Sequence, residues 1–100
     1  MPSNTTSKMF FYTYVLASTK DRYHYIGFTN NLRRRLEEHN KKFNKSTKPR
    51  TPFKLIYFEA CLNQMDALAS EHYLKATQGR RFLGLRLKEY HSPWAFGIRG

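Results

Sequence analysis

The 100-residue sequence is poor in cysteine and in acidic residues, with a single cysteine, Cys61, and only 7 Asp and Glu. One cysteine cannot form a disulfide within the chain, and it excludes a zinc site built from cysteines. Both facts suit a reducing, cytoplasmic environment. Because Cys61 stands at the end of an apolar run, we interpret it as a small buried hydrophobe rather than as a nucleophile.

Long apolar runs are also missing. Residues 1–8 are polar, and the apolar stretch after them is interrupted by Tyr12, Thr13 and Tyr14. Neither a signal peptide nor a transmembrane helix is therefore predicted, and no membrane partner is expected. Hydrophobic residues still make up 40% of the chain and aromatic residues 16%. This content can form a core, and the length fits one compact domain.

The chain has 18 Lys and Arg residues and only 7 Asp and Glu residues, which gives a formal net charge of +11. Such an excess opposes compaction and is typical of proteins that bind a polyanion, so we favour nucleic acid over a merely soluble basic protein. The positive residues concentrate between residues 33 and 54 and between residues 75 and 88, and we expect binding there to weaken steeply with salt. The predicted nucleic-acid-binding residues are Arg33, Arg34, Lys41, Lys42, Lys45, Lys48, Arg50, Lys75, Arg80 and Arg81.

The residue pattern predicts an α+β domain with the element order β-β-α-β-α-α and a small three-stranded antiparallel sheet flanked by helices. The predicted strands are residues 9–16, 23–28 and 53–59, and the predicted helices are residues 32–39, 63–77 and 80–90. Alternation places Phe53, Leu55 and Tyr57 on one side of the third strand, and Gly79 is expected to end the second helix. Residues 1–8 are predicted to be a flexible leader, residues 9–90 the folded domain and residues 91–100 a C-terminal tail.

Charged side chains appear on helix faces that should be apolar. Arg35 shares a face of the first helix with Leu32, Leu36 and His39. A buried guanidinium without a partner is costly, so Arg35 needs a carboxylate or a bound phosphate. The alternatives are a side chain that reaches solvent at the edge of the apolar face, or a structural ion pair.

Glu71 lies in the same way among the apolar residues of the second helix. A carboxylate in that position is either paired or bound to a metal. Lys75, four residues later, offers an ordinary helix ion pair, and Arg35 is a second candidate partner. An inward Glu, an inward Arg and a divalent metal would together suit phosphodiester cleavage.

Tyrosines cluster on the predicted hairpin at Tyr12, Tyr14, Tyr23 and Tyr25. An aromatic sheet face is a common structural feature and is one interpretation. The other is a phenol that orients or activates a water molecule. The ordinary phenol pKa near 10 would then require a neighbouring cation.

The tripeptides Tyr12-Thr13-Tyr14 and Tyr25-Ile26-Gly27 resemble the two signature motifs of the GIY-YIG nucleases. Arg35 and His39 resemble the family's helix motif of Arg followed four residues later by His, and Glu71 resembles its metal-binding Glu. Two departures are visible. Tyr12 stands where the family name has Gly, and the Asn that some members use beyond the Glu is absent.

The resemblance implies a role for each of these residues. Tyr14 would position or deprotonate the attacking water with help from Tyr25, and Arg35 would hold the scissile phosphate. His39 would assist proton movement, and Glu71 would bind one magnesium or manganese ion. Gly27 would let its strand approach the substrate backbone.

We therefore expect a metal-dependent endonuclease that hydrolyses DNA, with branched or damaged structures, and hence DNA repair, as candidates. One small domain suggests either weak sequence discrimination or a protein partner that supplies specificity. The main alternative is a non-catalytic nucleic-acid-binding module with the same fold, and a weaker one is a basic RNA- or ribosome-associated structural protein. The inward positions of Arg35 and Glu71 favour the enzyme, because binding alone needs only solvated charges.

Overall fold

A computed structural model describes residues 9–21, 23–41 and 50–91 of the chain. Its architecture confirms the predicted α+β class and element order, with one short additional helix at the end. The elements are β1 (Phe11–Ser18), β2 (His24–Thr29), α1 (Leu32–Asn40), β3 (Phe53–Cys61), α2 (Gln64–Lys75), α3 (Thr77–Arg86) and α4 (Lys88–His91).

The three strands form one antiparallel sheet in the order β2-β1-β3. β1 is central, and both of its faces are covered by helices. Val15 packs against Leu74 of α2 and Leu83 of α3 on one face. Tyr14 and Leu16 pack on the other face against apolar side chains of α1. The aromatic and β-branched content of β1 therefore serves two cores, which fixes the sheet between α1 and the α2–α3 pair.

The pairing of β1 with β3 contains a bulge. Val15 pairs with Tyr57 and Leu16 with Leu55, so Ile56 is the extra residue. The extra residue reverses the alternation of side chains along β3. The prediction that Tyr57 shares a face with Phe53 and Leu55 is therefore wrong, because Tyr57 packs on the α2 side with Val15.

The helix starts follow the expected capping chemistry. The side chain of Asn31 accepts a hydrogen bond from the backbone N–H of Arg34 at the start of α1. Asn63 does the same for Met65 and Asp66 at the start of α2. These bonds satisfy backbone donors that have no partner inside the helix.

The helix ends differ from the prediction. α2 ends at Lys75 rather than at residue 77, and Gly79 lies inside α3 instead of ending α2. A Cβ at residue 79 would overlap the backbone of Tyr73 and Leu74. Gly79 is therefore required for the close packing of α3 on the end of α2. The predicted helix over residues 80–90 is two helices, separated at Leu87.

Two further expectations concern burial and membranes. Cys61 is only partly buried, and its thiol donates to the backbone carbonyl of Asn63 at 3.4 Å, so the interpretation as a small buried hydrophobe is wrong as to burial. Across the three described ranges, no helix combines the length and the apolar character that crossing a bilayer requires. The leader and the residues after position 91 lie outside the described residues.

Candidate active site

Tyr14, in the middle of β1, is the centre of a buried hydrogen-bonded chain. Its side chain is 2% exposed, and its hydroxyl oxygen accepts a hydrogen bond from Nε of Arg35 at 3.3 Å. The same hydroxyl lies 3.1 Å from Nε2 of His39. Because a guanidinium can only donate, the phenol proton is left to point at His39, whose Nε2 then accepts as a neutral imidazole. The hydrogen bonds therefore run in one direction, with Arg35 donating to Tyr14 and Tyr14 donating to His39.

The pKa shifts of Tyr14 and His39 agree with this direction of hydrogen bonding. Burial is the main cause that raises the pKa of Tyr14, although the hydrogen bond and charge of Arg35 partly oppose it. Burial also lowers the pKa of His39, and the nearby charge of Arg35 lowers it further. His39 is 1% exposed and packs edge-on against the ring of Tyr25, with ring centroids 4.8 Å apart. At neutral pH the phenol therefore keeps its proton and the imidazole can accept one.

We expect acid to destabilise the protein through His39. The folded-state pKa lies below the ordinary value of 6.5, so His39 contributes its full stability above about pH 6.5. This contribution is lost as the pH falls through the folded-state pKa, because the unfolded chain then binds more protons. The melting temperature should fall on acidification below pH 6.5, and it should fall less steeply in His39→Gln.

His24 has a lowered pKa as well and acts in the same direction, so part of the slope will remain in that variant. Asp21, with a pKa below its ordinary 3.8, acts only at more acidic pH. An identical pH slope in the parent and in His39→Gln would contradict the assignment of His39 as a buried neutral imidazole.

Gly27 on β2 makes room for Tyr14. The two residues are directly paired in the sheet, and a Cβ at residue 27 would overlap the hydroxyl and ring of Tyr14. This contact accounts for Gly27 within the protein itself, whereas the family resemblance implied a close approach to substrate. The glycine lets the phenol lie over the neighbouring strand.

Gly27→Ala is expected to lower the free energy of unfolding by about 1–3 kcal/mol, typical of overpacking, and to reduce cleavage by displacing the Tyr14 hydroxyl. Gly84→Ala is the matched stability control, because a Cβ there meets nothing within 4 Å. In the α3 interior it should raise the stability by about 0.5–1 kcal/mol. Thermal or denaturant unfolding of both variants measures the difference, and equal stabilities would contradict the steric role of Gly27.

Arg35 is held by two partners. Besides its bond to Tyr14, its Nη1 lies 2.9 Å from a carboxylate oxygen of Glu38, and 36% of the side chain is exposed. The hydrogen bond to Tyr14 is the largest cause that raises the pKa of Arg35. The carboxylate that the sequence required for Arg35 is thus Glu38 rather than Glu71. The exposed part of the guanidinium can still contact a phosphate.

Glu71 belongs to α2, which packs on the sheet face opposite to α1. Its carboxylate contributes to raising the pKa of Tyr14, so its charge acts on the buried hydroxyl. The side chain is 22% exposed and lies 3.1 Å from Nζ of Lys75, the helix partner that the spacing had suggested. Arg35 and Glu71 therefore both act electrostatically on Tyr14, although they belong to helices on different faces of the sheet.

Several polar contacts that the sequence did not reveal position these helices. Glu59 on β3 accepts hydrogen bonds from Ser70 at 2.6 Å and from Tyr57 at 2.9 Å, and Thr13 donates to the carbonyl of Ala67 at 2.7 Å. The bonds of Ser70 and Ala67 attach α2 to the sheet close to Glu71. Burial, followed by the bond to Glu59, raises the pKa of Tyr57 to about 12.

The C-terminal end of α1 is fixed by a separate contact. The side chain of Asn40 accepts from the backbone N–H of Phe53 at 2.6 Å and donates to its carbonyl at 3.0 Å. This pair of bonds joins α1 to the start of β3, directly after His39. An Asn at a helix end was the available sequence indication of such a contact.

A divalent ion fits this site through one ligand. Among the residues that the structure describes, no group of three or more His, Cys, Asp and Glu side chains could hold a metal. Magnesium often keeps several waters and binds through only one or two carboxylates together with substrate phosphates. The partly exposed carboxylate of Glu71 suits that mode, provided that Lys75 releases it.

The predicted nucleic-acid-binding residues divide into three groups. Lys42, Lys45 and Lys48 lie outside the described residues. Arg50 is engaged within the protein, 3.3 Å from the carboxylate of Asp21 and 4.1 Å from the ring centre of Tyr23. The others are exposed on or beside α1 and on α2 and α3, namely Arg33, Arg34, Lys41, Lys75, Arg80 and Arg81.

Comparison with known proteins gives consistent matches. The model of the GIY-YIG catalytic domain matches residues 10–83, a range that contains Tyr14, Arg35, His39 and Glu71. A UPF0213 protein of Pediococcus pentosaceus is 48% identical over 66 residues, which cover 65% of this chain and 68% of that protein. UPF0213 protein OB0043 of Oceanobacillus iheyensis is 38% identical over 80 residues, with coverages of 79% and 90%. The solution NMR structure of UPF0213 protein BH0048 from Bacillus halodurans has 27% identity and a TM-score of 0.49, covering 90% of this chain and 95% of that one.

Proposed function

Because the chain belongs to the GIY-YIG catalytic domain family, a family of nucleases, we propose that it is a divalent-metal-dependent endonuclease that hydrolyses phosphodiester bonds in DNA. The observation that best supports this proposal is the buried hydrogen-bonded chain from Arg35 through Tyr14 to His39, and the charge of Glu71 also acts on the Tyr14 phenol. Binding alone would not require a polar chain inside the core, where each group must be desolvated.

In this proposal Tyr14 acts as the proton relay for the attacking water. Its pKa is raised, so a free phenolate is not the resting state. The phenol oxygen takes a proton from water while its own proton passes to Nε2 of His39, 3.1 Å away. His39 can receive this proton because its lowered pKa keeps the ring neutral at pH 7.

Arg35 stabilises the charge that builds up on the phosphate. Glu38 and Tyr14 hold the guanidinium from two sides, so it is oriented before substrate arrives. Donors that are positioned in advance typically contribute about 10²–10³ in rate. The exposed part of the Arg35 side chain is where a phosphate oxygen would bind.

Glu71 would hold the metal, which when bound supplies Lewis-acid polarisation of the phosphate. Lys75 must then leave the Glu71 carboxylate, from which it is now 3.1 Å away. The released ammonium would be available for a neighbouring phosphate. Surface ion pairs of this kind contribute about 0–1 kcal/mol, so replacing Lys75 by a metal ion at Glu71 costs little stability.

The proposal extends to the setting of the reaction. The cysteine content suits a cytoplasmic enzyme, and branched or damaged DNA is a fitting substrate for a repair role. Since one small domain offers little surface for reading bases, a protein partner would supply specificity.

Nicking of supercoiled plasmid distinguishes the nuclease from a binding module with the same fold. The unmodified protein should nick plasmid in magnesium or manganese, and chelator should stop the reaction. Gel shift on the same preparation reports DNA binding in chelator. Binding without nicking in either metal would favour the non-catalytic module and overturn the proposal.

A further inference from the structure

A cleft runs along β2 toward α3 and α4, and none of the described residues that line it is acidic. Its main part has a volume of about 380 Å³, and an adjoining part measures about 250 Å³. Both parts share Tyr23, His24, Ile26 and Arg80, so they form one continuous groove. Its main part is within the range of about 300–1,000 Å³ typical of ligand sites.

The cleft combines cations with flat rings. Arg80 and Lys75 line it, and Nε of Arg80 donates to the carbonyl of Lys75 at 3.3 Å, which brings the two residues together. His24 and His91 stack with their ring centroids 5.1 Å apart. Burial and the charges of His91 and Arg80 lower the pKa of His24, because neighbouring positive charges disfavour a protonated imidazole. A bound anion would offset these positive charges.

The groove adjoins the candidate active site, because two of its lining residues contact residues of that site. Lys75 lines the groove and also pairs with Glu71. Tyr25 lines it too and packs against His39. A DNA strand whose scissile phosphate lies at Arg35 would therefore have a route from the reacting bond into the groove.

We propose that this groove binds one unpaired nucleotide of the DNA strand, next to the scissile phosphate. Arg80 and Lys75 would hold its phosphate, and the base would stack on the outer face of the His91 imidazole, whose other face lies against His24. A base inside a duplex is stacked on its neighbours and cannot enter such a recess, whereas an unpaired base can. The position of the nucleotide relative to the cut rests on the proposed nuclease function.

The test compares a blunt duplex with the same duplex carrying a short single-stranded tail of either polarity. Affinity is measured in chelator, so that a protein that binds without cutting still gives a result. The parent should prefer one of the tailed duplexes, and His91→Ala should weaken tailed binding by about tenfold, as for loss of a stacked base. Arg80→Gln should reduce the slope of log affinity against log salt by about 0.7 on the tail.

Both variants change exposed side chains, and circular dichroism verifies that they are folded. Lys20→Gln, in the β1–β2 turn outside the groove, is the matched control for loss of one positive charge and should keep the preference for the tail. Equal affinity of the parent for blunt and both tailed duplexes would overturn the proposal. So would an undiminished tail preference in Arg80→Gln and His91→Ala. Neither result depends on whether the protein nicks plasmid.

Discussion

Tyr14→Phe should slow DNA cleavage by about 10²–10⁴-fold, the range typical of a lost general acid–base group. The phenyl ring keeps the packing over Gly27, while the hydroxyl that links Arg35 to His39 disappears. Losing these buried hydrogen bonds should cost about 1–3 kcal/mol in unfolding free energy. The variant is therefore expected to fold, to bind DNA and to cut very slowly. Plasmid nicking rates and thermal unfolding measure the two effects.

Tyr12→Phe is the matched control on the same strand. Tyr12 is partly buried against Phe58 and lies outside the hydrogen-bonded chain, so its variant should cut at the parental rate. A Tyr14→Phe protein that is folded and cuts as fast as Tyr12→Phe would remove Tyr14 from the mechanism. The proton route through His39 would then be lost with it.

Glu71→Gln should reduce cleavage by orders of magnitude while DNA binding persists or tightens slightly. The amide keeps the shape of the side chain but loses the charge that holds a divalent ion, and with it a repulsion toward phosphate. Stability should change little, because the pair with Lys75 is partly exposed and such pairs contribute about 0–1 kcal/mol. Nicking, DNA affinity and melting temperature are measured on one preparation.

Glu37→Gln, on the exposed side of α1, removes the same charge elsewhere and serves as the control. It should leave cleavage unchanged and reproduce any general effect of net charge on binding. If Glu71 were only a structural partner, Glu71→Gln would melt earlier and its folded fraction would still cut. That outcome would assign Glu71 to stability rather than to metal binding.

Local pattern placed several candidate residues on their elements, and the resemblance to the GIY-YIG nucleases singled out Tyr14 and His39 among them. The helical spacing of Arg35 and His39 and the strand position of Tyr14 are local properties, and they lead to side chains that meet in the structure. The element order followed for the same reason, since capping residues and periodicity act within a few residues. Local pattern also placed Glu71 on an inward face of its helix.

Other features depend on pairings between distant segments, which local pattern does not contain. The face of Tyr57 is set by a bulge that exists only when β3 pairs with β1. The function of Gly79 depends on how α3 returns against α2, and that of Gly27 on its partner Tyr14 across the sheet. The groove likewise forms only when α3 and α4 pack beside β2.

We propose that Tyr14 and Glu71 serve one catalytic centre, and the double variant Tyr14→Phe/Glu71→Gln tests this most directly. Nicking rates of the parent, both single variants and the double variant are measured on one plasmid, above the background without protein. Residues that act as a unit give strongly non-additive losses, so the double variant should cut within about tenfold of the slower single variant. Losses that multiply, or a single variant that cuts at the parental rate, would contradict a shared centre.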